Sequence, residues 1–355
     1  MENLVKKTLR TSLSKADFIN RAFNKSNSDG SKSVVESALQ SFEKFCIEEF
    51  NERSDNIIEQ IKQKQGDELY LFLQDFIDSM NKKGLNPHTI RVYFSFIRSY
   101  LRSQGIRTYS EDIKDLIRFP VIIRELLEPL TKEQIRILLD NSKEDRKALY
   151  LTLISSGMRI SEALSLRKKD FDLSQDLIKI RINGKYTKTK QTRETYISSE
   201  AKEILLRIIK NKEENDPVFT KDDNIRKALL TEERVFSNLR KRCKLGDCYS
   251  DGKRHKITIH SMRAFFHTQA SIVHDEQYAN AMDGHQGYLM QYYRLSAEKR
   301  SEMYLALEPH LLIYANESVV KSHEKLREQT ELQRIEIEKL KKMVDRMQKY
   351  LPKTV

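Results

Sequence analysis

Apolar positions recur along most of this chain at the three-and-four spacing of an α-helix, and only one short segment alternates at period two. Phe42, Phe45, Cys46 and Phe50 follow Leu39 in that spacing, and Leu69, Phe72, Leu73, Phe76, Ile77 and Met80 repeat it, so both runs predict amphipathic helices. A third helix is marked at both ends. Asn86 is placed to cap it, Pro87 suits its first position, Ile90, Tyr93, Phe94, Ile97, Tyr100 and Leu101 form its buried stripe, and Gly105 can end it. Residues 20–33 (NRAFNKSNSDGSKS) are rich in Ser and Asn and poor in large apolar residues, which predicts a flexible lead-in over 1–34. Pro120 and Pro129 bracket VIIRELLE and predict a linker over 119–130. Thr131 and Gln134 then form a capping box, with Leu130 and Ile135 spaced as a hydrophobic staple, and open a second domain whose helical spacing runs to Ser156. Residues 177–182 (LIKIRI) alternate as a strand, Asn183-Gly184 marks a turn region, and 192–197 (TRETYI) reads as the returning strand. Helical patterns resume across 201–245 and 261–314. The expected fold is therefore mainly α: a helical domain at 35–118, a mixed, mostly α domain at 131–315 with a small antiparallel β-sheet, and a helical tail at 316–355. In that tail Ile337, Leu340, Val344, Met347 and Leu351 keep a/d spacing, which fits a helix packed on its own domain, a short coiled coil or a docking element for another subunit.

The 355 residues suit two domains with an appendage. Lys plus Arg number 64 against 52 Asp plus Glu, a net charge of +12 that suggests a polyanionic partner without separating DNA from RNA. No run reaches the roughly 18 apolar residues of a membrane span, and the first residues lack the apolar centre of a signal peptide. An intracellular protein, in the cytoplasm or nucleoid of its host and with no membrane partner, is the expectation. Three cysteines cannot build a disulfide framework and suit a reducing compartment. Arg91, Arg98 and Arg102 lie off the apolar stripe of their helix, as a solvated face or as one that tracks phosphates.

Three clusters could carry chemistry. In SSGMRISEALSLRKKDFD (155–172), Gly157 breaks one helix and Arg159 stands at the start of the next, with Glu162 near enough to fix its guanidinium. In HSMRAFFHT (260–268), His260 and Arg263 share a helical face. In MDGHQGYLMQYYRLS (282–296), His285 follows Gly284 and precedes Tyr292 and Tyr293.

Taken in order, these clusters resemble the tyrosine recombinases, or phage integrase family. Gly157, Arg159, Glu162 and Leu166 match the G-x-R-x-x-E-x-x-x-L box; His260 and Arg263 match H-x-x-R; Gly284 and His285 match the following glycine and histidine; and Lys188, with Arg193 five residues on, matches the lysine of a β-hairpin. The resemblance covers about residues 35–315, since NPHTIRVYFSFIRSYLRSQGI looks like the family's core-binding domain, and it is nearest to archaeal or viral mobile-element integrases. It implies a site-specific recombinase that cleaves and rejoins double-stranded DNA through a 3′-phosphotyrosine and a four-way junction. A homo-tetramer would form on the attachment sites from a monomer or dimer. Two guanidiniums, Arg159 and Arg263, suit the charge on the nonbridging phosphate oxygens. A tyrosine, with a pKa near 10, needs a base and a cationic site, so His260 would manage its proton. Lys188 would protonate the departing 5′ oxygen and His285 would hydrogen-bond the phosphate. The phosphotyrosine conserves bond energy, so neither ATP nor a metal nor another cofactor is expected. The family's usual step from the histidine lands on Arg294. Tyr293, one position short, is the favoured nucleophile and Tyr292 the alternative, in its own subunit or a neighbour; Tyr288, Tyr304 and Tyr314 are the remaining candidates, for which a core aromatic is the preferred reading.

Lys168, Lys169, Lys253 and Arg254 join Arg91, Arg98 and Arg102 as candidate DNA contacts, the two lysines of 168–169 also fitting a solvated basic turn. Cys243, Cys248, His255 and His260 could suggest zinc, but their spacing is not that of a usual finger and the set would consume His260. A type IB topoisomerase-like nicking-closing enzyme and a noncatalytic DNA-binding relative are the competing function classes.

Overall fold

The computed structural model describes residues 13–26, 29–63, 66–123, 125–187, 189–250, 254–285, 295–315 and 339–343, and the chain divides into two compact units, 1–125 and 126–355. The first unit is helical throughout: α1 (Lys15–Ser26), α2 (Asp29–Phe50), α3 (Ser54–Gln63), α4 (Asp67–Lys82), α5 (Pro87–Ser103) and α6 (Ser110–Leu116). The aromatic stripes of α2 and α4 interlock, with Phe42 edge-on to Phe76 at 5.4 Å and Phe45 at 5.3 Å from the same ring. Each such ring taken out of water contributes about 2–3 kcal/mol. Asn86 caps α5 as expected, accepting from the His88 backbone N–H at 2.9 Å.

The expected lead-in is corrected by this unit. Helix α1 and the start of α2 occupy residues assigned to a flexible segment, because Phe18 is buried edge-on against Tyr100 at 5.3 Å, Lys15 pairs with Glu43 at 2.6 Å and Gln104 donates to the Leu13 carbonyl at 2.5 Å. One buried ring and two polar ties outweigh a Ser/Asn-rich composition.

The second unit contains α7 (Lys132–Asp140), α8 (Glu144–Ser156), α9 (Ile160–Leu164), β1 (Phe171–Asp172), β2 (Lys179–Ile182), β3 (Arg193–Tyr196), α10 (Ser199–Ile209), α11 (Ile225–Arg242), α12 (Ile259–Val273), α13 (Glu276–Asp283) and α14 (Ala297–Leu311). The capping box at α7 forms in both directions, at 3.2 and 3.0 Å, and both residues of the staple, Leu130 and Ile135, are buried. Helix α8 is buried on every side from Ala148 to Ser156, the mark of a central helix. The three strands form an antiparallel sheet in the order β1-β2-β3, with Phe171 opposite Ile180 and Ile182 opposite Arg193. Sequence patterning found β2 and β3 but not β1, whose two residues are too few to show a period. Residues 183–192 join the hairpin and include a 3₁₀ turn at Gly184–Tyr186 capped by Asn183. Residues 118–123 and 125–130 carry no helix or strand, and Val121 and Leu126 are 79% and 90% exposed. The spaced apolar residues of the tail fall outside the described residues except Leu340, which is exposed in a helical turn at 339–343. Among the described residues no helix is long and apolar enough to cross a membrane.

Candidate active site

The C-terminus of α8 organises the site. Gly157 ends that helix in the left-handed conformation, φ 65°, and a Cβ there would meet Phe266 at 2.2 Å, so both backbone and space require glycine. Its carbonyl accepts from Nη1 of Arg263 at 2.6 Å, which ties the first cluster to α12. Thr195 of β3 donates to the Ser156 carbonyl at 2.9 Å, and Tyr304 of α14 donates to that of Ser155 at 2.7 Å. The carbonyls at the C-terminal end of one helix thus position the sheet, α12 and α14 around a single point.

Arg159 precedes α9. Glu162, fully buried, accepts from its backbone N–H at 2.8 Å and from its Nη1 at 3.0 Å. The same carboxylate receives both terminal nitrogens of Arg193, at 3.2 and 2.6 Å, while Nε of Arg193 donates to the Met282 carbonyl at 3.1 Å. Burial pushes the Glu162 carboxyl up, but the hydrogen bonds and charge of Arg193, then those of Arg159, outweigh it and hold the group below its ordinary value. Gly284, φ 76°, leaves room for the Arg193 guanidinium, since a Cβ there would lie 2.9 Å from its Cζ.

Arg263 is 3% exposed. Burial pushes its guanidinium down to about 10, opposed by Asp283 and reinforced by Arg159 and Arg193. Its Nη2 lies 3.3 Å from Asp283 and makes no hydrogen bond among the described residues. Asp283, the last residue of α13, is fully buried and accepts from Nδ1 of His267 at 2.9 Å, while Nδ1 of His285 lies 2.8 Å from its other oxygen. His260, exposed at the start of α12, and half-exposed His285 are both shifted down, by desolvation first. Arg263 and Arg159 add to both shifts, and Asp283 opposes them. Two imidazoles beside two guanidiniums are therefore biased to their neutral forms. A cavity of about 360 Å³ opens beside His285, lined also by Arg193, Gln191, Asn280 and Arg300.

His267, Asp283 and His285 place three ligand-type atoms within 4.8 Å of one another. The carboxylate is already shared by two imidazoles and faces the Arg263 guanidinium, whose charge would oppose a divalent ion there. Cys248 lies 3.2 Å from Nδ1 of His255, whereas Cys243 points to the Ile137 carbonyl, so the two cysteines are differently engaged.

Of the residues singled out by sequence, Arg159, Glu162, His260, Arg263 and His285 come together; Lys188, Tyr292 and Tyr293 lie outside the described residues, as do Tyr288 and Lys253. Tyr304 is buried as expected, its hydroxyl raised by desolvation first; Tyr314 is exposed rather than a core aromatic, because its hydroxyl is tied to Asp140 at 2.6 Å on the surface, so neither hydroxyl is available as a nucleophile. Sequence reasoning missed Asp283 and His267, and it noted Arg193 only as a motif position. Among the basic residues, Arg91 stacks on Phe119 at 4.6 Å, Arg98 donates to Thr108 at 2.8 Å, and Lys168 and Lys169 donate to the Lys212 carbonyl and Asn215. Arg254 stacks on Tyr249 at 5.5 Å, and the Arg102 guanidinium is exposed and makes no hydrogen bond or ion pair among the described residues.

Residues 128–297 match the phage integrase family. That family is the tyrosine recombinases, and the match lies within the second unit. It is 27% identical over 197 residues to tyrosine recombinase XerA of Thermococcus onnurineus, a match spanning 54% of this chain and 64% of that protein. It is 36% identical over 118 residues to tyrosine recombinase XerC of Chlamydia pneumoniae, spanning 31% and 38%. The chain thus spans less than two thirds of the length of these relatives. The crystal structure of a lambda integrase tetramer bound to a Holliday junction shares the fold, with a TM-score of 0.53 at 10% identity over 80% of both chains.

Proposed function

We propose that this protein is a tyrosine recombinase, a site-specific DNA recombinase or integrase that acts inside the cell on double-stranded DNA, cutting and rejoining strands through a covalent 3′-phosphotyrosine and a four-way junction. The observation that supports it most is the meeting of Arg159 and Arg263, from elements 104 positions apart in sequence, beside two imidazoles biased toward neutrality. Paired guanidiniums neutralise the charge that builds on a phosphoryl group under attack. A neutral His260 can accept the proton of a tyrosine hydroxyl, and His285 can hydrogen-bond a nonbridging oxygen. Tyr293 is assigned as the nucleophile, with Tyr292 as the alternative, and Lys188 as the donor of a proton to the departing 5′ oxygen.

Residues 35–118 are assigned as a core-binding domain and 131–315 as the catalytic domain, joined by the 119–130 linker and followed by the tail at 316–355. Arg91, Arg98, Arg102, Lys168, Lys169, Lys253 and Arg254 are the proposed DNA contacts. By extension from the tetramer on a Holliday junction, four copies are proposed to assemble on two duplexes. The reaction as proposed uses no ATP and no metal, because the phosphotyrosine conserves the energy of the broken phosphodiester.

The test is a suicide duplex, carrying a site selected from random or native DNA, whose nick traps the intermediate as a covalent adduct on a denaturing gel. The expected result is an adduct lost in Tyr293→Phe and retained in Tyr292→Phe; the reverse would reassign the nucleophile. Supercoil relaxation without exchange between paired sites would favour a nicking-closing enzyme. No adduct on a duplex bound specifically would overturn catalysis and leave a DNA-binding protein.

A further inference from the structure

Asp283 is a buried ionisable group of the second unit to which the catalytic reading gives no task. Asp283 is fully buried at the end of α13, where Gly284 turns the chain through a left-handed residue and sets His285 back over it. One carboxylate oxygen meets Nδ1 of His285 at 2.8 Å, the His285 backbone N–H at 3.1 Å and Nη2 of Arg263 at 3.3 Å; the other accepts from Nδ1 of His267 at 2.9 Å. Nε2 of His267 in turn faces Glu276 at 3.1 Å, so that ring is held at both ends, and it stands edge-on to the His285 ring at 5.7 Å.

A carboxylate can only accept hydrogen bonds. An imidazole whose Nδ1 lies 2.8 Å from one is favoured to keep its proton on that nitrogen, which leaves Nε2 with a free lone pair when the ring is neutral. We infer that Asp283 is a positioning residue that locks His285 in the Nδ1–H tautomer and presents Nε2 to the substrate phosphate, while the same carboxylate holds Arg263 in register with it. The assignment rests on the proposed phosphoryl chemistry for its purpose, but not for its geometry. The other charged groups around the pair are Arg263 and His267 from α12, His260 at the head of that helix, Arg159 before α9, Arg193 from β3 and Glu276 from α13. The guanidiniums among them oppose protonation of His285 and Asp283 favours it, so the ring sits where a bound phosphodiester anion, adding one negative charge, would draw a proton onto Nε2 and make it a donor. A carboxylate–imidazole pair of this kind acts through orientation and tautomer, and replacing such a carboxylate by its amide leaves shape unchanged while inverting the tautomer.

The test uses the full-length protein and two variants. Asp283→Asn can donate its amide to Nδ1, which forces the proton to Nε2, whereas His267→Gln removes a second partner of the same carboxylate and leaves the His285 contact in place. Long-range ¹H–¹⁵N spectra of the histidine rings at neutral pH should show His285 protonated at Nδ1 in the wild type and in His267→Gln, and at Nε2 in Asp283→Asn. Adduct formation on the suicide duplex should fall by about a hundred-fold or more in Asp283→Asn, with DNA affinity held within a few-fold, and by much less in His267→Gln. His285 protonated at Nε2 in the wild type would overturn the proposal, and that measurement decides it even if Asp283→Asn does not fold. Equal loss in both variants would also overturn it, as damage to packing alone. The ring spectra require no cleavage, so a protein that made no adduct at all would count against the recombinase reading and leave the tautomer assignment to stand or fall on its own result.

Discussion

Arg159 and Arg263 are held in opposite ways, and their substitutions should differ accordingly. Arg263 is enclosed and committed to the Gly157 carbonyl and Asp283, while Arg159 leans on Glu162 from a partly open position. Arg263→Lys keeps the charge but loses the planar fork, so adduct formation should fall by about a hundred- to a thousand-fold while affinity for the same duplex changes little; unchanged cleavage would remove Arg263 from the phosphate site. Glu162 carries a structural load that its neighbours do not. Glu162→Gln leaves two guanidiniums facing one neutral amide in a buried site, and urea denaturation should show a loss of about 3–5 kcal/mol. A midpoint equal to the wild type's would mean that Arg159 and Arg193 find other partners.

At the scale of elements, local signals and long-range packing divide the work. Caps and breakers were legible because they act within four residues: Asn86, Thr131 with Gln134, and Gly157 each satisfy or reverse the backbone beside them. Gly157→Ala should cost at least about 2 kcal/mol, since it strains a left-handed residue and drives a methyl into Phe266. Helix α1 was not legible, because its stability comes from Phe18 on Tyr100 and from Lys15 on Glu43, partners that no window of its own residues contains. Phe18→Ala is expected to release α1 while leaving α2 to α5 folded. Hydrogen exchange should accelerate over 15–26 alone, and uniform acceleration across the unit would show that α1 belongs to its core.

Across the whole molecule, two ionisation effects act in the same direction. Glu162 is held below its ordinary 4.5, and His260 and His285 below 6.5, so each binds fewer protons folded than unfolded. Stability should therefore be fully present above about pH 6.5, decline as the unfolded histidines take up protons, and fall further as pH passes through 4.5 and below. Denaturant midpoints measured from pH 4 to 8 will check this, and a maximum near pH 5 would contradict it. The excess of positive charge makes a second expectation for DNA affinity, which should fall steeply with salt. Arg102→Gln should reduce the slope of log affinity against log salt by about one, because that guanidinium has no partner among the described residues. Lys168→Gln should change it less, because its ammonium already donates to the Lys212 carbonyl.

The sequence by itself determined the periodic helices, most of their caps, the β2–β3 pairing and the order of the arginine and histidine motifs, since each is written in neighbours within a turn or a strand. It also supplied Glu162 as the partner of Arg159, three residues away. Only the tertiary structure decided that Arg193, 31 positions on, would share that carboxylate, and that Asp283 would be buried under His285 and against Arg263. An isolated Asp before Gly reads as a helix end facing water. Its role came from α12 packing against α13, which removed the water and surrounded it with two imidazoles, a guanidinium and the His285 backbone N–H, an arrangement with no local period to betray it.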